Sequence, residues 1–189
     1  YSDLERMRCI VFGGEGFPKN SLRELSNIVK SDVQLINVYG PTECTCICSA
    51  YKVNTADINQ EGLLPIGNVI KNFKYVIIDK YRNQIDDERL GQLCIGGDYI
   101  SKGYFEQSEN NEKSFIQNPN HNYYEDKYYL TGDLVRYCTL SKLLYFCGRI
   151  DNQVKRMGYR IEIEEIEIAI NCLQYVIESV VISVEKDDI

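Results

Sequence analysis

Within the stretch Asn37-Val38-Tyr39-Gly40-Pro41-Thr42-Glu43, an aromatic ring, a hydroxyl and a carboxylate follow an apolar run, at a turn stiffened by proline. A ring at a strand end can stack on a nucleobase. A Thr hydroxyl can hydrogen-bond a phosphate oxygen, and a Glu can hold Mg²⁺, which offsets the charge that builds up when a phosphoryl group is transferred. The plain alternative is a turn whose Tyr packs inward and whose Glu is solvated. A second stretch, Tyr129-Leu130-Thr131-Gly132-Asp133-Leu134, brings a strand up to a glycine and then a carboxylate. Asp133 could accept from both hydroxyls of a ribose, although Thr-Gly-Asp is also ordinary turn chemistry. In a third, Gly148-Arg149-Ile150-Asp151-Asn152-Gln153-Val154-Lys155, Arg149 offers a fixed fork of donors for a phosphate or ribose oxygen. Asp151 lies where the strand pattern changes, a position suited to a hinge; a charged loop between two strands is the alternative. A fourth stretch, Gly91 to Gly97 followed by Ser101-Lys102-Gly103-Tyr104-Phe105, reads as a strand, a glycine turn and a second strand, with no catalytic role.

The elements that must position these groups follow from hydrophobic spacing. Met7 to Phe12 and Val33 to Val38 read as buried strands, with Leu22, Leu25, Ile28 and Val29 at helical spacing between them and Asn20 or Ser21 as the cap. Strand, helix, strand in that order predicts a parallel sheet with a crossover helix. Lys74 to Asp79, Gly91 to Ile95, Tyr128 to Leu130 and Leu143 to Phe146 read as short strands separated by turns, which suits a small antiparallel barrel or sheet, with a short helix over Glu109 to Phe115. Beyond Gly148-Arg149, a hairpin turning at Met157-Gly158 precedes a helix over about Glu162 to Leu173, carrying Ile163, Ile166, Ile170 and Leu173, and a final strand over Val176 to Val184. The fold class is therefore α/β with an antiparallel β subdomain, followed by the start of a small α+β domain.

Composition narrows the classes of partner. The chain has 189 residues, 44% apolar, with a formal net charge of −7. Scattered acidic residues and no clustered basic face argue against nucleic acid. No apolar run approaches the ~18 residues that cross a bilayer, and no leader pattern is visible, so no membrane partner and a cytoplasmic location are expected. Of the eight cysteines, most lie in apolar runs and no two form a CxxC pair, which disfavours zinc and favours reduced, buried, apolar side chains. Cys44, Cys46 and Cys48 alternate and would share one face of a strand.

These stretches, in this order, resemble the signatures of the amino-acid adenylation domains of nonribosomal peptide synthetases, in the adenylate-forming superfamily. Asn37 to Glu43 is similar to their Tyr-Gly-Pro-Thr-Glu signature. The stretches at Gly91, Tyr129 and Gly148 resemble the next three, and Gly13-Gly14-Glu15 the glycine turn before them. Stand-alone D-alanine–carrier protein ligases share the pattern. The resemblance covers essentially the whole chain. It implies a fragment of the adenylate-forming fold, with residues 1–150 as the last part of a large AMP-binding domain and 151–189 as hinge and first part of a small lid.

The resemblance also implies chemistry: ATP and Mg²⁺ activate a carboxylic acid, foremost an amino acid, as acyl-AMP, which passes to the phosphopantetheine thiol of a carrier protein. By that resemblance Asn37, Tyr39, Gly40, Thr42, Asp133 and Arg149 would bind the nucleotide, Tyr39 by stacking on adenine and Asp133 through the ribose. Thr42 and Glu43 would be catalytic, Glu43 holding Mg²⁺. Asp151 would be the hinge, and Gly158 would line the path of the thiol. Val11, Gly13, Val38, Cys46 and Ile47 match the acid pocket, and their small or apolar types favour an uncharged substrate side chain. The family's phosphate loop and its lysine near the C-terminus have no counterpart among these residues, so the fragment by itself is expected to be inactive. An acyl-CoA or aryl-acid ligase of the same superfamily, or a non-catalytic truncated relic, are the alternatives.

Overall fold

The computed structural model describes residues 6–184. The chain divides into two compact units, Tyr1–Gly148 and Arg149–Ile189. The break falls two residues before Asp151.

In the first unit, β1 (Cys9–Gly13), α1 (Lys19–Ile28) and β2 (Gln34–Tyr39) form the expected crossover, and the two strands pair parallel with Ile10 beside Leu35 and Gly13 beside Val38. The helix starts at Lys19 behind Pro18, ahead of the predicted caps Asn20 and Ser21. Period-two alternation divides the sheet's faces. Ile10, Phe12 and Leu35 turn to α1, where Leu22 is wholly buried and Leu25 and Val29 complete the packing. Val11, Gly13, Ile36 and Val38 turn the other way. Two strands that the sequence reading did not anticipate extend this sheet: β3 (Ser49–Lys52), antiparallel to β2, and, after the short helix α2 (Thr55–Ile58), β4 (Asn68–Val69), antiparallel to β3. The sheet is mixed rather than parallel throughout.

The second sheet is the antiparallel one. Its five strands are β5 (Phe73–Ile78), β6 (Gly91–Gly97), β7 (Phe115–Gln117), β8 (Lys127–Cys138) and β9 (Leu143–Arg149), in the order β5-β6-β8-β7 with β9 on β8; α3 (Ser108–Ser114) leads into β7. The two sheets share one core, in which Tyr39, Cys44 and Cys48 pack with Leu93, Ile95, Tyr129, Val135 and Leu144. Leu144 also ties them through the backbone, with Ile66 N–H donating to its carbonyl at 2.9 Å and its own N–H donating to Gly67 at 3.1 Å.

Three expectations fail here. Cys44, Cys46 and Cys48 do not lie on a strand: Thr42–Cys44 is a 3₁₀ turn, and Thr45 and Cys46 follow at φ 53° and 77°. Cys44 and Cys48 therefore turn into the core while Cys46 is exposed. The expectation of reduced thiols agrees with all eight being free, but that of burial holds only for Cys44, Cys48 and Cys94, since Cys9, Cys46, Cys147 and Cys172 are exposed. Finally, the second strand expected over Ser101 to Phe105 is not formed. The Asn111 side chain takes both backbone groups of Tyr104, accepting from its N–H at 2.6 Å and donating to its carbonyl at 2.8 Å, so they are unavailable to a ladder.

In the second unit β10 (Val154–Arg156) and β11 (Tyr159–Ile161) form the predicted hairpin. Its central residues Met157 and Gly158 are both at positive φ, as a tight two-residue turn requires. The helix α4 (Ile163–Asn171) follows, but of its apolar series only Ile163 is fully buried. The strand expected over Val176 to Val184 is not formed; its described residues are irregular. Without a ladder partner the segment is tied to α4 instead, Ser179 Oγ donating to Asn171 Oδ1 at 2.9 Å and Val181 N–H to Glu167 Oε1 at 2.8 Å.

Candidate functional site

The site is built where β2 ends beside β8. Alternation along β2 buries Leu35, Asn37 and Tyr39 on one face. Asn37 donates through Nδ2 to the Pro65 carbonyl at 2.8 Å, which braces the strand end against the following loop. Gly40 and Pro41 then turn the chain sharply. An added Cβ on Gly40 would sit 2.3 Å from the Cys46 carbonyl oxygen, so only glycine lets the returning loop pass this close.

β8 meets this end through a bulge. Gln92 of β6 pairs with Leu134 and Cys94 with Leu130, which leaves Thr131, Gly132 and Asp133 opposite the single Leu93. Gly132 lies at φ 74°, and Thr131 Oγ donates to the Leu93 carbonyl at 2.8 Å and accepts from the Asp133 N–H at 3.0 Å. The turn anticipated after Leu130 is thus an interruption within a strand that continues to Cys138. The bulge aims Asp133 at β2, and the Tyr39 hydroxyl donates to Asp133 Oδ2 at 2.5 Å. Tyr39 is 7% and Asp133 2% exposed. Burial, and after it the negative charge of Asp133, pushes the Tyr39 hydroxyl well above its ordinary pKa.

Four residues beyond Tyr39, Glu43 is also buried, while its neighbour Thr42 is exposed. Glu43 Oε1 accepts from the Tyr104 hydroxyl at 2.6 Å. On the buried side of the same turn the Cys44 thiol is pushed up, first by its hydrogen bond with Cys48 and then by burial.

Of the residues matched to an acid pocket, Val11, Gly13 and Val38 lie on the one face of the first sheet that α1 leaves uncovered. Gly13 is required by the strand pairing itself, since an added Cβ would meet the Val38 carbonyl oxygen at 2.1 Å. Cys46 and Ile47 belong to the exposed turn after Glu43. Arg149 and Asp151 belong to the second unit, where Arg149 forks its partner, Nε to Oδ1 and Nη2 to Oδ2, each at 2.6 Å. Partial burial works to raise the Asp151 pKa, but the Arg149 guanidinium, together with the Gln153 N–H and Arg160, holds the carboxyl below its usual range. Gly158 is the second residue of the hairpin turn, at φ 81°.

The structure therefore brings Tyr39, Asp133 and Glu43 to one end of the first unit, and it adds residues that the sequence reading passed over as structural: Tyr104 and Ser101. The only signal for them was a Ser-Lys-Gly-Tyr run in a loop, whose partner lies 61 residues away. As a metal site the donor set is sparse. Among the described residues no three His, Cys, Asp or Glu gather as a cage. One carboxylate beside a hydroxyl fits the mode in which Mg²⁺ arrives with nucleotide phosphates and keeps several waters.

Residues 1–105 match the family model described as AMP-binding enzyme. Malpibaldin synthetase of Mortierella alpina is 39% identical over 166 residues, which is 87% of this chain and 3% of that protein. Among solved structures, PA1221, a nonribosomal peptide synthetase protein containing adenylation and PCP domains, superposes with a TM-score of 0.81 at 27% identity, covering 90% of this chain and 34% of that one. The Vibrio cholerae adenylation domain AlmE, solved with glycyl-adenosine-5'-phosphate, gives a TM-score of 0.75 at 26% identity, covering 87% and 30%. The chain belongs to the AMP-binding enzyme family, and its fold is that of part of an adenylation domain. It spans about a third of those solved chains and a small part of the curated relative. No helix among the described residues is long and apolar enough to cross a membrane.

Proposed function

We propose that these residues form part of an enzyme that activates a carboxylic acid, foremost an amino acid, with ATP and passes it to the phosphopantetheine thiol of a carrier protein. The observation that carries this reading is the convergence of Tyr39, Asp133 and Glu43 at one end of the first unit, where the Tyr39 hydroxyl reaches Asp133 at 2.5 Å. In this reading Tyr39 and Asp133 receive the adenosine. Ribose hydroxyls would enter the Asp133 carboxylate's shell in exchange for its present donors. Thr42, exposed beside Glu43, would donate to an α-phosphate oxygen. Glu43 would hold Mg²⁺, which supplies positive charge to the phosphates as they transfer.

The first step joins a substrate carboxylate oxygen to the α-phosphorus and breaks the bond to the bridging oxygen, so that pyrophosphate leaves and acyl-AMP remains. In the second step a thiolate sulfur attacks the acyl carbonyl carbon, and AMP leaves with the carbon–oxygen bond's electrons. Of the residues of the second unit, we assign Arg149 to the ribose and phosphate of the nucleotide, Asp151 to the hinge of the reorientation between the two steps, and Gly158 to the path of the thiol. The glycyl adenylate bound in AlmE and the PCP domain carried by PA1221 support the acyl-adenylate and the carrier. The small or apolar Val11, Gly13 and Val38 support an uncharged side chain.

The test is acid-dependent ATP–pyrophosphate exchange by the whole protein over a panel of amino acids, fatty acids and aryl acids. Exchange with an amino acid, lost in Glu43→Ala, is the expected result. Exchange only with fatty or aryl acids moves the substrate class to an acyl or aryl ligase, and silence with every acid from a folded protein overturns the enzymatic reading.

A further inference from the structure

The loop after β6 was expected to be a plain structural turn, yet it is fastened to the Glu43 turn at three points. Thr45 Oγ1 donates to the Tyr99 carbonyl at 2.6 Å, Ser101 N–H to the Glu43 carbonyl at 2.7 Å, and the Tyr104 hydroxyl to the Glu43 carboxylate at 2.6 Å. Tyr104 is itself held on every side. Asn111, the fourth residue of α3, clasps its N–H and carbonyl. Its ring packs edge-on against Phe115, with centroids 5.7 Å apart, and Phe115 in turn lies 5.2 Å from Tyr129 of β8. Gly103 lies at φ 138°, and a Cβ there would meet Asn111 Oδ1 at 2.7 Å, so the clasp closes only over a glycine.

The Glu43 carboxylate is buried on a three-residue 3₁₀ turn. A charge-assisted hydroxyl bond, anchored through a clasped backbone and a ring in the core, favours one orientation of it. We propose that Tyr104, braced by Asn111, is a positioning residue that holds the Glu43 carboxylate in the orientation in which it takes a divalent cation brought by the nucleotide. The proposal rests on the reading of Glu43 given above. It assigns α3 a purpose: the helix presents Asn111 to the loop, and through Tyr104, which lies 61 residues from Glu43, it sets the metal carboxylate.

Tyr104→Phe removes the hydroxyl and keeps the ring on Phe115. Asn111→Ala loosens the clasp and leaves Tyr104 intact. Thermal unfolding checks that each variant is folded. Binding is read without turnover, by electron paramagnetic resonance titration of Mn²⁺ into the whole protein saturated with a non-hydrolysable ATP analogue and no acid. Tyr104→Phe should weaken Mn²⁺ binding by about tenfold, the scale set by one hydrogen bond to a charged group, and Asn111→Ala should shift it the same way by less. In ATP–pyrophosphate exchange the Mg²⁺ concentration for half-maximal rate should rise in parallel, with the rate recovered at saturating Mg²⁺. Unchanged Mn²⁺ binding in Tyr104→Phe, with binding lost in Glu43→Ala, overturns the proposal and leaves the reading of Glu43 standing. Unchanged binding in Glu43→Ala as well overturns both. If Tyr104→Phe does not fold, Asn111→Ala decides, and an unchanged affinity there counts against the proposal.

Discussion

Replacing Tyr39 by phenylalanine removes the donor from a buried polar contact in the site. The hydroxyl donates to Asp133 at 2.5 Å, and the two residues are 7% and 2% exposed, so water can replace the lost donor only if the strands part. A hydrogen bond to an ionised acceptor contributes roughly 1.5–3 kcal/mol. Against that, phenylalanine no longer buries a hydroxyl, which returns part of the loss, and we expect Tyr39→Phe to destabilise the first unit by about 2 kcal/mol. Asp133→Asn keeps an acceptor but removes the charge, and its cost should be about 1 kcal/mol. Because both act on the same contact, the double variant should cost less than the sum by about 1 kcal/mol or more. A protein of several units need not unfold in one step. The assay is therefore urea dependence of amide hydrogen exchange, read on the β8 amides within this unit. Additivity within about 0.5 kcal/mol would refute the reasoning, because sites that do not share a contact add to within that margin.

Two further outcomes follow from the same structure. Gly40→Ala drives a Cβ to 2.3 Å from the Cys46 carbonyl. It should cost about 1–3 kcal/mol as an overpacked site and suppress ATP–pyrophosphate exchange by displacing Thr42 and Glu43, with thermal unfolding and the exchange rate as the two measurements. Alkaline stability should also fall. Burial raises the Tyr51 and Tyr128 hydroxyls to about 12 and pushes the Tyr39 hydroxyl well above its ordinary value, while an unfolded tyrosine ionises at about 10. The contribution is intact below pH ~10 and is lost as pH rises toward about 12, since the unfolded chain gives up protons that the folded one keeps. Urea midpoints at successive pH values should fall less steeply in Tyr128→Phe than in the parent; parallel curves would count against burial as the cause.

Much of the site was legible in local spacing. The run Asn37 to Glu43 puts a ring, a hydroxyl and a carboxylate on one strand end whatever surrounds them, and glycine and proline punctuation marks the turn that carries them. The β1-α1-β2 crossover and the hairpin at Met157-Gly158 are equally local, each resting on a period or a turn of a few residues. Positions that depend on a partner were not. Cys44, Cys46 and Cys48 alternate like a strand, but left-handed backbone at Thr45 and Cys46 sends the outer two inward and the middle one out. Val176 to Val184 reads as a strand by composition, and irregular chain results where no ladder receives it.

By itself, then, the sequence determined which chemistry-bearing residues the chain has, their order, and the strand ends and turns that display them, because those depend on period and backbone preference within a few residues. Which of them meet depends on how the two sheets pack. Tyr39 finds Asp133 across 94 residues through a bulge that no period announces, and Tyr104 finds Glu43 across 61 because Asn111 takes the backbone groups a strand would have used. Both are side-chain contacts between separate strands and loops, fixed by how two sheets pack, and spacing along the chain carries no record of that distance.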